Sequence, residues 1–116
     1  MTDDRLSASR LLSADVLAEP VEADGGSAPL RTATATLAAG TVGAVAEVEV
    51  GLWEAGPGTE TDTEADEVFL VLSGAGTVTF ADGSALPLRP GVLVRLREGD
   101  RTTWEITERL RKLYVA

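Results

Sequence analysis

From Leu30 onward the apolar positions recur at every second residue, and clusters of glycine, proline and aspartate interrupt them at short intervals. Thr32, Thr34 and Thr36 alternate with Ala33, Ala35 and Leu37, the pattern of a half-buried strand. Ala44, Ala46, Val48, Val50 and Leu52 form a second apolar face, opposite Glu47 and Glu49. The run from Glu67 to Leu72 is apolar on both faces after its first residue, so both sides of this strand are expected to be covered. Ser73 to Gly76 reads as a turn and Thr77 to Phe80 as the next strand, followed by the tight-hairpin signal Asp82-Gly83. Short strands are predicted at Leu86 to Leu88 and Val92 to Leu96, separated by Arg89-Pro90-Gly91. A turn at Glu98-Gly99-Asp100 precedes two last strands, Thr102 to Thr107 and Leu110 to Val115. About eight short strands without strand–helix alternation predict an all-β sandwich or closed barrel.

The first 30 residues follow another pattern. Leu11, Leu12, Val16 and Leu17 line one side of a possible short helix, with Ser7 or Ser13 as its cap and Pro20 at its end. Glu22 to Ser27 reads as a loop. The expected organisation is an N-terminal arm or short helix over residues 1–30 and one β-domain over residues 31–116.

Composition narrows the chemistry. A chain of 116 residues, 44% hydrophobic and 25% charged, suits a single globular domain. The net charge of -9 leaves no basic stripe for nucleic acid and disfavours an anionic membrane surface. No apolar run is long enough to span a bilayer, and Met1 to Arg5 lacks a basic-then-apolar leader, so a cytoplasmic protein is expected. Without cysteine there is neither thiol chemistry nor a thiolate site. Without histidine the commonest neutral-pH base and transition-metal ligand are missing as well. The basic residues are nearly all arginine and alanine is abundant, a bias typical of GC-rich bacterial genomes.

One ordered set of residues is more specific. Gly51-Leu52-Trp53-Glu54-Ala55-Gly56-Pro57-Gly58 leads into Asp66-Glu67-Val68-Phe69-Leu70-Val71-Leu72-Ser73-Gly74. Asp82-Gly83, Pro90-Gly91, Gly99, Trp104-Glu105 and Arg111-Lys112-Leu113-Tyr114 follow in order. From about Ala44 to Ala116 the chain resembles the cupin superfamily, especially small cupins similar to the ureidoglycine aminohydrolase and ethanolamine-utilisation types. The resemblance implies a double-stranded β-helix, a jelly-roll barrel with an open mouth, commonly a homodimer. It also implies a metal held by two histidines and a glutamate of the first motif and by a histidine or glutamine of the second. Glu67 and Gly74 keep the spacing that ends the first motif, and Gly91 and Gly99 fit the second. Arg97 replaces the second motif's proline, and Thr102 stands at its ligand position. Counting back from Glu67 by the two spacings the family allows gives either Thr61 and Thr63 or Glu60 and Asp62. The first set offers hydroxyls, poor ligands for transition metals. The second offers hard oxygen donors that suit Mg, Ca or Mn. The stretch from Glu60 to Asp66 otherwise reads as a solvated acidic loop, and no metal or other cofactor is expected.

Several side chains are candidates for the pocket. Glu67 shares a strand face with Phe69 and Val71; facing inward, it is a general acid or base. The alternative is a former ligand bonded to Arg, Tyr or backbone N–H. Trp104, in phase with Thr102 and Ile106, and Trp53, before the Pro-Gly turn, either stack on a planar ligand or fill the core. Lys112 and Tyr114 share a parity and would grip a carboxylate or polarise a carbonyl if they point inward. The candidate catalytic set is therefore Glu67, Lys112 and Tyr114, and the candidate binding set Trp53, Phe69, Thr102 and Trp104. Arg95 and Arg97 are expected at solvent or a partner, and Val68, Leu70 and Leu72 against the arm or a second subunit.

Three functions fit this reading. The first is a cupin without histidine ligands that binds a small polar or carboxylated molecule in its barrel. The second is a metal-independent isomerase, lyase or hydrolase using Glu67 as acid or base. The third is a non-catalytic dimeric assembly subunit, which a pocket filled by side chains would support.

Overall fold

Among the described residues there are eight strands: β1 (Glu22–Ala23), within a stretch that reads as loop, β2 (Ala33–Val42), β3 (Ala46–Ala55), β4 (Gly58–Thr63), β5 (Glu67–Phe80), β6 (Ala85–Leu88), β7 (Leu93–Leu96) and β8 (Arg101–Val115). This computed structural model describes residues 10–26, 29–42 and 46–116; Ser7, Ser27 and Ala44 lie outside the described residues. The described residues contain no helix, and the fold is all-β. Where a helix was one expectation for the N-terminal segment, the backbone only turns at residues 16–18, and the Ser13 hydroxyl donates to Glu19 at 2.8 Å.

Two long strands organise the barrel. β5 and β8 pair antiparallel along nearly their whole length, from Val68–Val115 to Phe80–Thr102. The second half of β8 also pairs with β3, and its first half with β4. β7 flanks the first half of β5 and β6 the second half. β2 and then β1 extend the sheet beyond β3. Each long strand thus serves both ends of a sheet rolled on itself, which places a cavity between the inner faces.

The bend falls at Ser73 to Gly76, a stretch that reads as a turn in sequence but lies within β5. Register shifts there relieve the pairing so that β5 curves without breaking. Gly74 is required at the bend: its φ is +92°, and a Cβ would lie 2.2 Å from the Arg109 carbonyl oxygen. Opposite the bend, pairing with β4 ends at Ile106 and pairing with β3 begins at Leu110. The two strands expected over 102–107 and 110–115 are consequently one, β8. The acidic loop expected after Glu60 is in part a strand as well. β4 satisfies its backbone against β8 while leaving Thr61, Asp62 and Thr63 exposed.

Parity separates inside from outside. Phe69 and Val71, in phase with Glu67, are 1% exposed, whereas Val68, out of phase with them, is 40% exposed. Phe69 and Val71 meet Val94, Leu96, Trp104 and Leu110 in the core. Each such aliphatic or aromatic side chain, fully buried, contributes about 1.5–3 kcal/mol. Outside, Arg95 and Arg97 are exposed as expected. Arg111 is buried on the outer face, where it bonds Glu54 at 2.7 Å and the carbonyls of Val16 and Glu19 at 2.8 and 2.9 Å. These bonds lay the N-terminal segment across the sheet.

Candidate functional site

The inner face opens into a cavity of about 380 Å³. Trp53, Glu67, Trp104, Lys112 and Tyr114, all anticipated from the sequence, line it together with Glu60 and Glu64. Strand parity explains the convergence. Trp53 pairs with Lys112 and Gly51 with Tyr114 between β3 and β8, and directly paired residues project to the same face. Gly51 makes room for the phenol, since a Cβ there would lie 2.5 Å from the Tyr114 ring.

Lys112 is the centre of this arrangement. Its Nζ donates to Glu67 Oε2 at 2.6 Å and lies 4.5, 4.6 and 5.0 Å from the ring centroids of Phe69, Trp53 and Trp104. The Lys112 side chain is 6% exposed and that of Glu67 20%, so the pair is largely removed from water. Desolvating an ammonium opposes folding by several kcal/mol unless it is well matched. A carboxylate and three π faces provide the match, a desolvated cation–π contact being worth about 2 kcal/mol. Trp104 also packs against Trp53 and Phe69 with centroids 5.5 and 5.6 Å away, which holds the rings in place around the ammonium. Phe69 is itself core, and its ring faces the ammonium from beneath.

Thr102 stands behind the lining and holds a carboxylate that sequence reasoning did not single out. Its hydroxyl donates to Glu64 Oε2 at 2.7 Å, and Trp104 Nε1 donates to the same oxygen at 2.9 Å. Glu64 sat within a stretch that resembled solvent-facing loop, so composition concealed it. Glu49 was missed for a different reason. It lies on the polar face of β3, and that face, which also carries Trp53, is the one turned inward. The Tyr114 hydroxyl donates to the Glu49 carboxylate. Burial, then that bond and the nearby Glu67 charge, push the Tyr114 phenol well above its ordinary range, so it stays protonated.

The register of β4 also resolves the spacing alternatives. Glu60 and Asp62 pair with Trp104 and Thr102, whose side chains are buried, so they share the inner face; Thr61 and Thr63 point the other way. The donors nevertheless do not fit the metal that the cupin resemblance implies. Glu67 is bound by an ammonium and Thr102 is committed to Glu64. Among the described residues no three Asp, Glu, His or Cys side chains are grouped to hold an ion.

Likenesses to other proteins agree with this architecture. The chain is similar to the EutQ protein of Clostridium difficile, with 23% identity and a TM-score of 0.53 over 59% of this chain and 54% of that one. It therefore spans about half the length of that relative. A DUF861 family protein of Thermotoga maritima is 30% identical, with a TM-score of 0.51 over 54% of this chain and 73% of that one. The polyketide cyclase RemF of Streptomyces resistomycificus superimposes over 92% of this chain and 79% of its own, with a TM-score of 0.66 at 16% identity. Likenesses below 25% identity speak for the fold alone. No curated protein matches the chain in sequence. Among the described residues no helix is long and apolar enough to cross a membrane. Residues 42–114 match the EutQ-like cupin domain, and the chain belongs to that family of cupins.

Proposed function

We propose that this cupin binds a small polar molecule in its barrel, without a metal, as a cytoplasmic protein. The observation that carries the reading is the open cavity of about 380 Å³ walled by Trp53 and Trp104 and edged with carboxylates. Such a concave space, with two aromatic walls and many polar groups converging on it, has the form of a site for a small polar molecule. Of the two ligand classes the sequence suggests, the lining favours a hydrogen-bond donor over a carboxylated molecule. Glu60, Asp62 and Glu64 face the cavity, while the charge of Lys112 is already matched by Glu67. The test is a thermal-shift panel of small amines, ureides, sugars and carboxylic acids. The reading expects stabilisation by a neutral or amine-bearing compound. No stabilisation by any class, or stabilisation by carboxylates alone, would contradict it.

The contact of Glu67 with Lys112, beside the Tyr114 hydroxyl in the same lining, supports a second reading as an acid–base enzyme. On that reading Glu67→Gln abolishes turnover of a substrate found by the panel while the fold survives. The assembly reading lacks its filled pocket. A homodimer is compatible with both remaining readings: Val68, Leu93 and Val115 expose an apolar outer face, 40%, 68% and 40% accessible.

A further inference from the structure

The cupin barrel ordinarily gathers its motif glutamate around a metal, and here the glutamate faces an ammonium. Lys112 is the only lysine in the chain. It projects from the inner face of β8, pairs with Trp53 across β3 and with Val71 across β5, and so enters the barrel from the strand shared by both halves. At the end of its side chain, Glu67 Oε2 is 2.6 Å away and three rings surround the Nζ at 4.5–5.0 Å. A transition metal would require several lone-pair donors at about 2 Å. Aromatic faces supply none, whereas they suit a compact organic cation.

We propose that the Lys112 ammonium is a tethered substitute for the metal, a positioning residue that fixes Glu67 and the cavity's aromatic walls with a positive charge built into the chain. The substitution explains why Glu67 persists although Thr102 has turned to Glu64: the carboxylate has a cation to hold, and the second-motif position has none. It also separates the barrel's geometry from metal supply, so chelators leave the cavity intact. The inference rests on the metal-independent part of the proposed function and not on any ligand being bound.

The test uses the chain's two tryptophans, Trp53 and Trp104, both of which contact the ammonium and report on it by fluorescence. In Lys112→Ala the truncated side chain leaves Glu67 and the three rings without their cation, and the emission should change. Methylammonium at about 50 mM should return the emission toward that of the unaltered protein and raise Tm by about 3 °C, while methanol at the same concentration, similar in size but uncharged, should do neither. Restoration by Mn²⁺, Ni²⁺ or Zn²⁺ instead of methylammonium, or by no cation at all, overturns the proposal. Should Lys112→Ala not fold, the unaltered chain decides. Titrated with the same three metals, it should bind none in stoichiometric amount. One equivalent of metal, lost again in Glu67→Gln, overturns the proposal. A barrel that binds no organic ligand in the thermal-shift panel leaves these readouts unchanged, so the two ideas fail separately.

Discussion

Arg111 and Lys112 are neighbours in the last strand, both buried and both paired with a glutamate, yet they face opposite sides of the sheet. Arg111 is enclosed by backbone. Its guanidinium spans Glu54 and two carbonyls of the N-terminal segment, and nothing about that geometry leaves room for another molecule. Lys112 is enclosed by rings and one carboxylate at the wall of a cavity. Burial of a charge accomplishes a different thing in each place. A planar fork with several donors fastens one chain segment to another, while a point charge on a flexible stem organises a pocket.

The largest expected effect comes from breaking the outer member. Arg111→Met should lower stability by about 3 kcal/mol, because it strands two carbonyls and part of Glu54. Hydrogen exchange should quicken in residues 10–26 while tryptophan emission stays as it is. Retained protection of that segment would show that Arg111 does not fasten it. Lys112→Met should cost less, about 2 kcal/mol, since Glu67 borders the cavity and regains water there. Its signature is reversed: the emission changes and exchange in residues 10–26 does not. Adding Glu67→Leu should recover most of the lost stability, and additive losses in the double variant would refute the coupling.

A smaller effect concerns Tyr114, the only tyrosine. Its phenol is raised in the folded state, chiefly by burial, so the stability it carries is complete below the ordinary value of 10.0 and declines as pH rises beyond it. Absorbance near about 295 nm should show no tyrosinate at about pH 10.5 until denaturant is added. Titration at the ordinary value in the folded protein would place the hydroxyl in water instead of against Glu49. The smallest effect is a control remote from both cations. Asp82 is fully exposed, and bonds from Ser84 hold its carboxyl below the usual value of 3.8. Its stabilising contribution is present above that value and is lost as pH falls through the lowered one. The Tm difference between the parent and Asp82→Asn should therefore be small at neutral pH and vanish in strong acid; a difference that grows in acid would contradict the assignment.

Much of this molecule was legible because a two-residue period carries over directly from sequence to side-chain direction. Glu67, Phe69 and Val71 share one face; Thr102, Trp104 and Ile106 share another, as do Lys112 and Tyr114. The bend was not legible. Ser73 to Gly76 has turn composition, and only its pairing with β8 shows that the glycines bend a strand instead of ending it. The β3 face was hidden in a related way. Val48, Val50 and Leu52 look like core, but their side of the strand is the one toward the outer face, and Leu52 is nevertheless fully buried. Local hydrophobicity cannot reveal that an outer face is itself covered. Glu64 and its partners Thr102 and Trp104 are 38 and 40 residues apart, a relation that strand pairing creates and spacing does not encode.

Whether Lys112 stands in for a metal is tested most directly by a crystal structure of the chain grown with Mn²⁺ and Zn²⁺ present, with anomalous scattering recorded for both. The Lys112 ammonium is expected between Glu67 and the rings of Trp53, Phe69 and Trp104, with no anomalous peak in the barrel. A peak on Glu67 with Lys112 displaced from the rings would contradict it.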